Sequence, residues 1–177
     1  DFNDMWTARQ NVRYGHIDTV GRWLSPTGVT NGPLIEVYPA NYQETLDTFQ
    51  ADNQLQAKFA TGAVSHKLLL GVDYLWADSN YGAAYGTGAD TAPVNLLTPG
   101  APNSSLVPQI TSRTGVTLNQ VGVYAQDQMK FGDGWHFNIG GRQDFVTQDQ
   151  SNLSGGLQTA SRDDNAFTWQ TGLLYEF

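Results

Sequence analysis

The sequence contains no cysteine, so disulfides, thiolate metal sites and thiol nucleophiles are excluded. It is also poor in charge. Asp, Glu, Lys and Arg make up 15% of its 177 residues, against about 25% in an ordinary soluble domain. Basic residues are the scarcer sign, with 9 Lys and Arg against 17 Asp and Glu and a net charge of −8. That balance argues against a nucleic-acid partner, whose phosphates need cationic side chains. Long apolar runs are missing too. The longest strand-region stretch free of polar side chains is residues 68–72, far below the ~20 residues of a helical membrane span. The chain opens on Asp1 without a signal peptide, so a mature form or a fragment is expected.

What is present is alternation. In residues 49–59 the odd positions read Phe49, Ala51, Asn53, Leu55, Ala57 and Phe59, and the even positions Gln50, Asp52, Gln54, Gln56 and Lys58. Successive strand side chains point to opposite faces, so one face is apolar and the other polar. The same pattern predicts strands over about residues 5–20, 64–77, 117–131, 135–147 and 165–177. Leu68, Leu70, Val72, Tyr74 and Trp76 form one apolar row; Val121, Val123 and Ala125 begin another.

Short and long connections take turns. Residues 60–63 and Gly132-Asp133-Gly134 read as tight turns, the second because Asp-Gly readily supplies positive φ. Residues 21–47, with Pro26, Gly28, Gly32, Pro33 and Pro39, read as a long connection, residues 78–115 as a longer one and residues 148–164 as a medium loop. Loops of that length are usually functional. Aromatic residues are 12% of the chain, and Trp6, Phe49, Phe59, Trp76, Phe131, Trp135 and Phe177 flank the spans, as rings do at a membrane interface. The expected fold is therefore all-β: an antiparallel transmembrane β-barrel segment with short periplasmic turns and long extracellular loops. A soluble β-sandwich also alternates but does not explain the regular change of turn length.

Counting raises a difficulty. Bacterial barrels start at about eight strands, and an open sheet in lipid leaves edge groups unsatisfied. Either residues 21–47 hide further strands, or copies of the chain assemble, or the chain is part of a larger barrel.

Several stretches resemble one family. Residues 52–62 followed by Ser65-His66-Lys67-Leu68-Leu69-Leu70-Gly71-Val72-Asp73-Tyr74 are similar to a barrel hairpin of TonB-dependent siderophore receptors, nearest the ferric hydroxamate (ferrichrome) subfamily. Val94-Asn95-Leu96-Leu97-Thr98-Pro99 resembles that family's N-L-(Y/F)-x-P stretch. Gln120-Val121-Gly122-Val123-Tyr124-Ala125-Gln126-Asp127-Gln128 resembles T-G-V-Y-x-Q-D-Q, with Val121 for the usual Thr. Gly140-Gly141-Arg142-Gln143-Asp144 resembles G-G-R-Y-D, with Gln143 for Tyr, and Phe167-Thr168-Trp169 with residues 172–177 resembles the strand after it. The resemblance covers nearly the whole chain in order.

It implies that residues 1–177 are a partial barrel domain, about six to eight strands of a barrel of about 22, without the plug domain and its TonB box. It implies residence in the bacterial outer membrane among lipid and lipopolysaccharide, a ferric siderophore of hydroxamate type as ligand, energy from the TonB complex through the plug, no covalent chemistry and no cofactor. A chelate site needs aromatic walls and hydrogen-bond donors. Trp23, Tyr38, Tyr42, Tyr81 and Tyr85 are candidates in the long connections, and Trp76, Tyr81 and Tyr85 are the leading ones; interfacial anchoring for Trp76 and loop packing for the tyrosines are the structural alternatives. The inward polar rows would face a plug or merely water. His16, His66 and His136 lie on separate segments without metal-ligand spacing, and no nucleophile-elbow motif is present. A small structural or passive-pore barrel is the alternative function.

Overall fold

The structure is a computed structural model that describes residues 3–29, 32–87, 93–98, 100, 106–155 and 157–177. Pro99, the end of the Val94-to-Pro99 motif, lies outside them. The elements are β1 (Trp6–Val29), β2 (Leu34–Thr61), β3 (Val64–Tyr85), β4 (Val94–Asn95), β5 (Thr114–Phe131), β6 (Trp135–Asn152) and β7 (Leu157–Tyr175). The long strands form one antiparallel sheet in the order β1-β2-β3-β5-β6-β7, and β4 pairs with β2 off that path. Neighbours in sequence are neighbours in the sheet, the meander of an up-and-down barrel wall.

The turns at one end are tight for a local reason. Gly62 opens the two-residue connection from β2 to β3 at φ 62°, the position where a type II′ hairpin needs glycine. Gly132 and Gly134, at φ 56° and 94°, frame Asp133 between β5 and β6.

The apolar rows fall into register across the sheet. Leu55 faces Leu70, which faces Ala125; Val12 faces Ala51, which faces Tyr74, Val121 and Phe145 in turn. The row is not packed into a protein interior: Leu70 stays 39% and Val72 46% exposed, and Ile139, Phe145, Phe167 and Trp169 are exposed as well. An apolar face of this extent left open to its surroundings is a lipid-facing face. Each strand carries about 9–11 residues of it, the length a tilted strand needs to cross. The upper limit of the band does not follow the hydrogen-bonded rows. It lies at Tyr14, Phe49 and Trp76, which are mutually opposite, then drops to Val121 and Phe145, and again to Phe167, which is opposite Gln143. Strands tilted about 35–45° to the membrane normal require this stepping of a horizontal lipid layer.

Above the band the strands continue, which departs from the sequence reading. Residues 21–47 are not a long connection: β1 and β2 pair up to Val29 opposite Ile35, with a register shift between Pro26 and Gly28. Pro39 fits inside this ladder because its carbonyl accepts from the Gly86 N–H at 2.7 Å on the β3 side. Its missing N–H lies on that same side, beyond the last β2–β3 pair, Ala40 with Tyr85. Likewise β3 runs on to Tyr85 and β5 starts at Thr114, which shortens the 78–115 connection from both ends, while β6 runs to Asn152 and β7 starts at Leu157, well inside the expected medium loop.

Candidate ligand wall

Below the rim, the inner face is held by side chains that reach across whole strands. Tyr124 on β5 passes over Gly71 on β3 and donates from its hydroxyl to Asp52 Oδ1 on β2 at 2.8 Å. A Cβ on Gly71 would lie 2.1 Å from Tyr124 Cζ, so the glycine is the socket that lets the ring lie flat on the wall. Arg142 on β6 repeats the device one step along. It passes over Gly122, where a Cβ would meet Nη2 at 2.1 Å, and donates to Asp73 Oδ1 at 2.9 Å. Its Nε also donates to Asp144 at 2.9 Å, its Cζ sits 5.7 Å from the Tyr124 ring centroid, and Gln120 donates to Asp144 at 3.1 Å. Charge-assisted bonds of this kind order a wall without filling the bore.

Above the lipid band, the strand extensions carry the aromatic candidates. Trp23, Tyr38, Tyr42, Tyr81 and Tyr85 all have the inner parity of their strands: Trp23 is opposite Ala40, Ala40 opposite Tyr85, Tyr42 opposite Ala83 and Glu44 opposite Tyr81. Tyr38 and Tyr85 meet edge to face, centroids 5.8 Å apart, a favoured aromatic geometry. Tyr42 donates to Glu44 Oε2 at 2.7 Å and Ser79 donates to Glu44 Oε1 at 2.7 Å. The hydrogen bond to Glu44 pushes the Tyr42 phenol up to about 12, with burial and the Glu44 charge adding to it. The Ser79 and Tyr42 hydroxyls together hold the Glu44 carboxyl below its ordinary value. Both are hydrogen bonds to the ionised carboxylate, which favour the charged acid and the neutral phenol. The patch thus offers ring faces, ring edges and a fixed negative charge.

Trp76 stands elsewhere. It has the outer parity, opposite Phe49, at the top of the lipid band, where indole rings mark the interface. Tyr81 and Tyr85 are on the inner face and Trp76 is not among them. Two contacts had no signal in the sequence. Asn41, buried, donates to Pro108 O at 3.0 Å, and Ile110 lies against Gly82, whose Cβ would meet its Cγ2 at 2.5 Å. The strip at residues 106–113 therefore lies on the outer face of the extensions, braced by Arg113 donating to Gln43. Such packing is legible only once the register is known. Among the described residues no group of His, Cys, Asp or Glu is arranged to hold a metal ion.

An antiparallel wall with a lipid face, a polar inner face and aromatic collars is that of an outer-membrane β-barrel. The family described as "TonB dependent receptor-like, beta-barrel" matches residues 1–177; the chain belongs to that family of outer-membrane proteins. It is 35% identical over 192 residues to the ferrioxamine receptor of Yersinia enterocolitica, covering 99% of this chain and 25% of that protein. It is 32% identical over 200 residues to the ferrichrome outer membrane transporter/phage receptor of Escherichia coli, covering 100% of this chain and 26% of that one. The chain therefore spans about a quarter of the length of the curated relatives it matches. Those relatives are receptors and transporters, not enzymes. Among solved structures, the ferric-catecholate import receptor Fiu of E. coli in its closed form aligns with a TM-score of 0.83 at 15% identity, over 99% of this chain and 29% of that one. The siderophore receptor PiuA of Acinetobacter baumannii aligns with a TM-score of 0.79 at 19% identity, over 99% and 28%. At those identities the structures speak for the fold.

Proposed function

We propose that this chain is a wall section of an outer-membrane receptor that takes up ferric siderophores of the hydroxamate type, driven through TonB by way of a plug domain. The observation that carries this reading is the inner-face aromatic patch Trp23, Tyr38, Tyr42, Tyr81 and Tyr85, standing above the lipid band where an external ligand arrives. It is supported by relatives named for ferrioxamine and ferrichrome. Phenol hydroxyls donate to chelate oxygens while the rings cover the organic shell. Tyr81 and Tyr85 are assigned to ligand contact, and Trp76 to anchoring in the lipid interface. In the full-length receptor, ferrioxamine B or ferrichrome should quench intrinsic fluorescence saturably, and Y81A/Y85A should weaken binding about 10-fold or more, as loss of aromatic contacts does. Absence of saturable quenching by either chelate in the unaltered receptor would overturn the reading.

A further inference from the structure

Above the lipid band, the inner parity of β1, β2 and β3 gives charged positions at Glu36 and Glu44 among the described residues, and both are acidic. Glu44 stands inside the aromatic patch. Tyr42 lies two residues away on the same face, about 6–7 Å along the strand. Tyr81 is directly opposite on β3, where cross-strand Cβ atoms lie about 4.5–5.5 Å apart. Glu44 is half-buried, and its oxygens accept from the hydroxyls of Tyr42 and Ser79, each at 2.7 Å. Both donors are neutral. They fix the carboxylate and keep it ionised, and they do not cancel its charge. None of the ion pairs among the described residues includes Glu44.

A carboxylate has about four lone-pair sites, so about two stay open to a ligand. Chemistry decides what can use them. An ionised carboxylate only accepts hydrogen bonds. The oxygens that hold iron in a ferric hydroxamate are acceptors as well, so Glu44 repels the chelate core. A lone carboxylate among phenols is no metal site either, in keeping with the lack of a metal-holding group among the described residues. The rings beside it, Tyr42 and Tyr81, present faces that attract cations. An uncompensated carboxylate next to aromatic faces is the chemistry that recognises an organic ammonium.

We propose that Glu44 is a specificity-determining residue of the ligand wall: it binds an ammonium group carried by the siderophore, and so selects cationic ferric hydroxamates over neutral ones. The proposal rests on the hydroxamate-siderophore reading above and adds to it the charge of the ligand. Tyr81 and Tyr85 cover the organic shell, and Glu44 meets the part of the ligand that is not chelating iron.

The test uses the full-length receptor in detergent and chelates that differ at one nitrogen. Ferrioxamine B carries a protonated primary amine remote from its iron-binding groups. N-acetyl-ferrioxamine B has a neutral amide there, which keeps an N–H donor and loses the charge. Titration by fluorescence quenching gives each Kd. The parent receptor should bind ferrioxamine B about 10-fold more tightly than the acetylated form, the scale of a charge-assisted hydrogen bond. E44Q should bring the affinities to within about twofold of each other, chiefly by weakening ferrioxamine B. Equal binding of both chelates by the parent overturns the proposal and leaves the siderophore reading standing. A preference that survives E44Q also overturns it, including the case in which E44Q weakens both chelates alike, because that is loss of wall structure and not of charge. If neither chelate binds, ferrichrome, a neutral ferric hydroxamate, separates the failures. Its binding overturns the proposal alone, and its failure to bind overturns the siderophore reading as well.

Discussion

The inner wall depends on glycines chosen for what crosses them. Gly71 and Gly122 are both buried under a neighbour's side chain, and neither needs a glycine backbone, since neither has positive φ. Their role is space. Gly71→Ala places a methyl at 2.1 Å from the Tyr124 ring, so the ring must lift and its bond to Asp52 is lost. The expected cost is about 1–3 kcal/mol, the range for overpacking with loss of one hydrogen bond to a charged group. Urea unfolding of the full-length receptor in detergent checks it, and Tyr124→Phe in the unaltered background, which removes only the hydroxyl, should cost less. Equal stability of G71A and the parent would remove the socket argument.

A second residue-scale expectation concerns Tyr42 and Glu44, which lie above the lipid band. The Tyr42 phenol, raised to about 12 by its bond to Glu44, favours the folded state fully below the ordinary tyrosine value near 10. That contribution disappears as pH rises from about 10 to 12. Glu44, lowered by Ser79 and Tyr42, contributes above its ordinary carboxyl value and loses its contribution as pH falls through the lowered one. Ultraviolet titration of phenolate absorbance should show a late-ionising tyrosine that Glu44→Gln moves back toward 10. If E44Q leaves the titration curve unchanged, the pair does not couple.

At the scale of elements, the sequence revealed strands where the environment differs between their two faces, and concealed them where it does not. Within the lipid band Phe49, Ala51, Leu55, Ala57 and Phe59 alternate with Gln50, Asp52, Gln54, Gln56 and Lys58, so strands and tight turns were legible. Above the band neither face meets lipid, so no contrast of oil against water marks the two. There β1 reads Gly21, Arg22, Trp23, Leu24, Ser25, Pro26, and the β2 half opposite carries Pro39; no period survives, and residues 21–47 read as a loop. Trp23, Tyr38, Tyr42, Tyr81 and Tyr85 could be named as aromatic candidates, but their common face could not be, because parity is countable only along an unbroken ladder. Hydrogen–deuterium exchange separates the two descriptions. Amides in residues 21–29 and 34–47 should exchange slowly, as paired strands do, even though they stand above the lipid band. Exchange at random-coil rates across both segments would restore the loop.

At the scale of the whole molecule, the decisive fact is that β1 and β7 are both edges. The sheet order runs from one to the other without closing, over a first strand of 24 residues and a last of 19. Six long strands of a barrel of about 22 correspond to the quarter of the relatives' length that this chain covers. An edge strand exposes every second N–H and C=O, and in hydrocarbon each unsatisfied group costs several kcal/mol, so the edges alone outweigh the stability of an ordinary domain, about 5–15 kcal/mol. The 177-residue chain refolded alone into lipid vesicles should therefore fail to give a compact, heat-modifiable monomer. It should instead associate through its edges or stay on the vesicle surface, as gel mobility and sedimentation would register. A monomer that resists detergent without boiling and conducts ions across a planar bilayer would mean that the strands close on themselves, and would favour the passive pore over a section of a larger receptor.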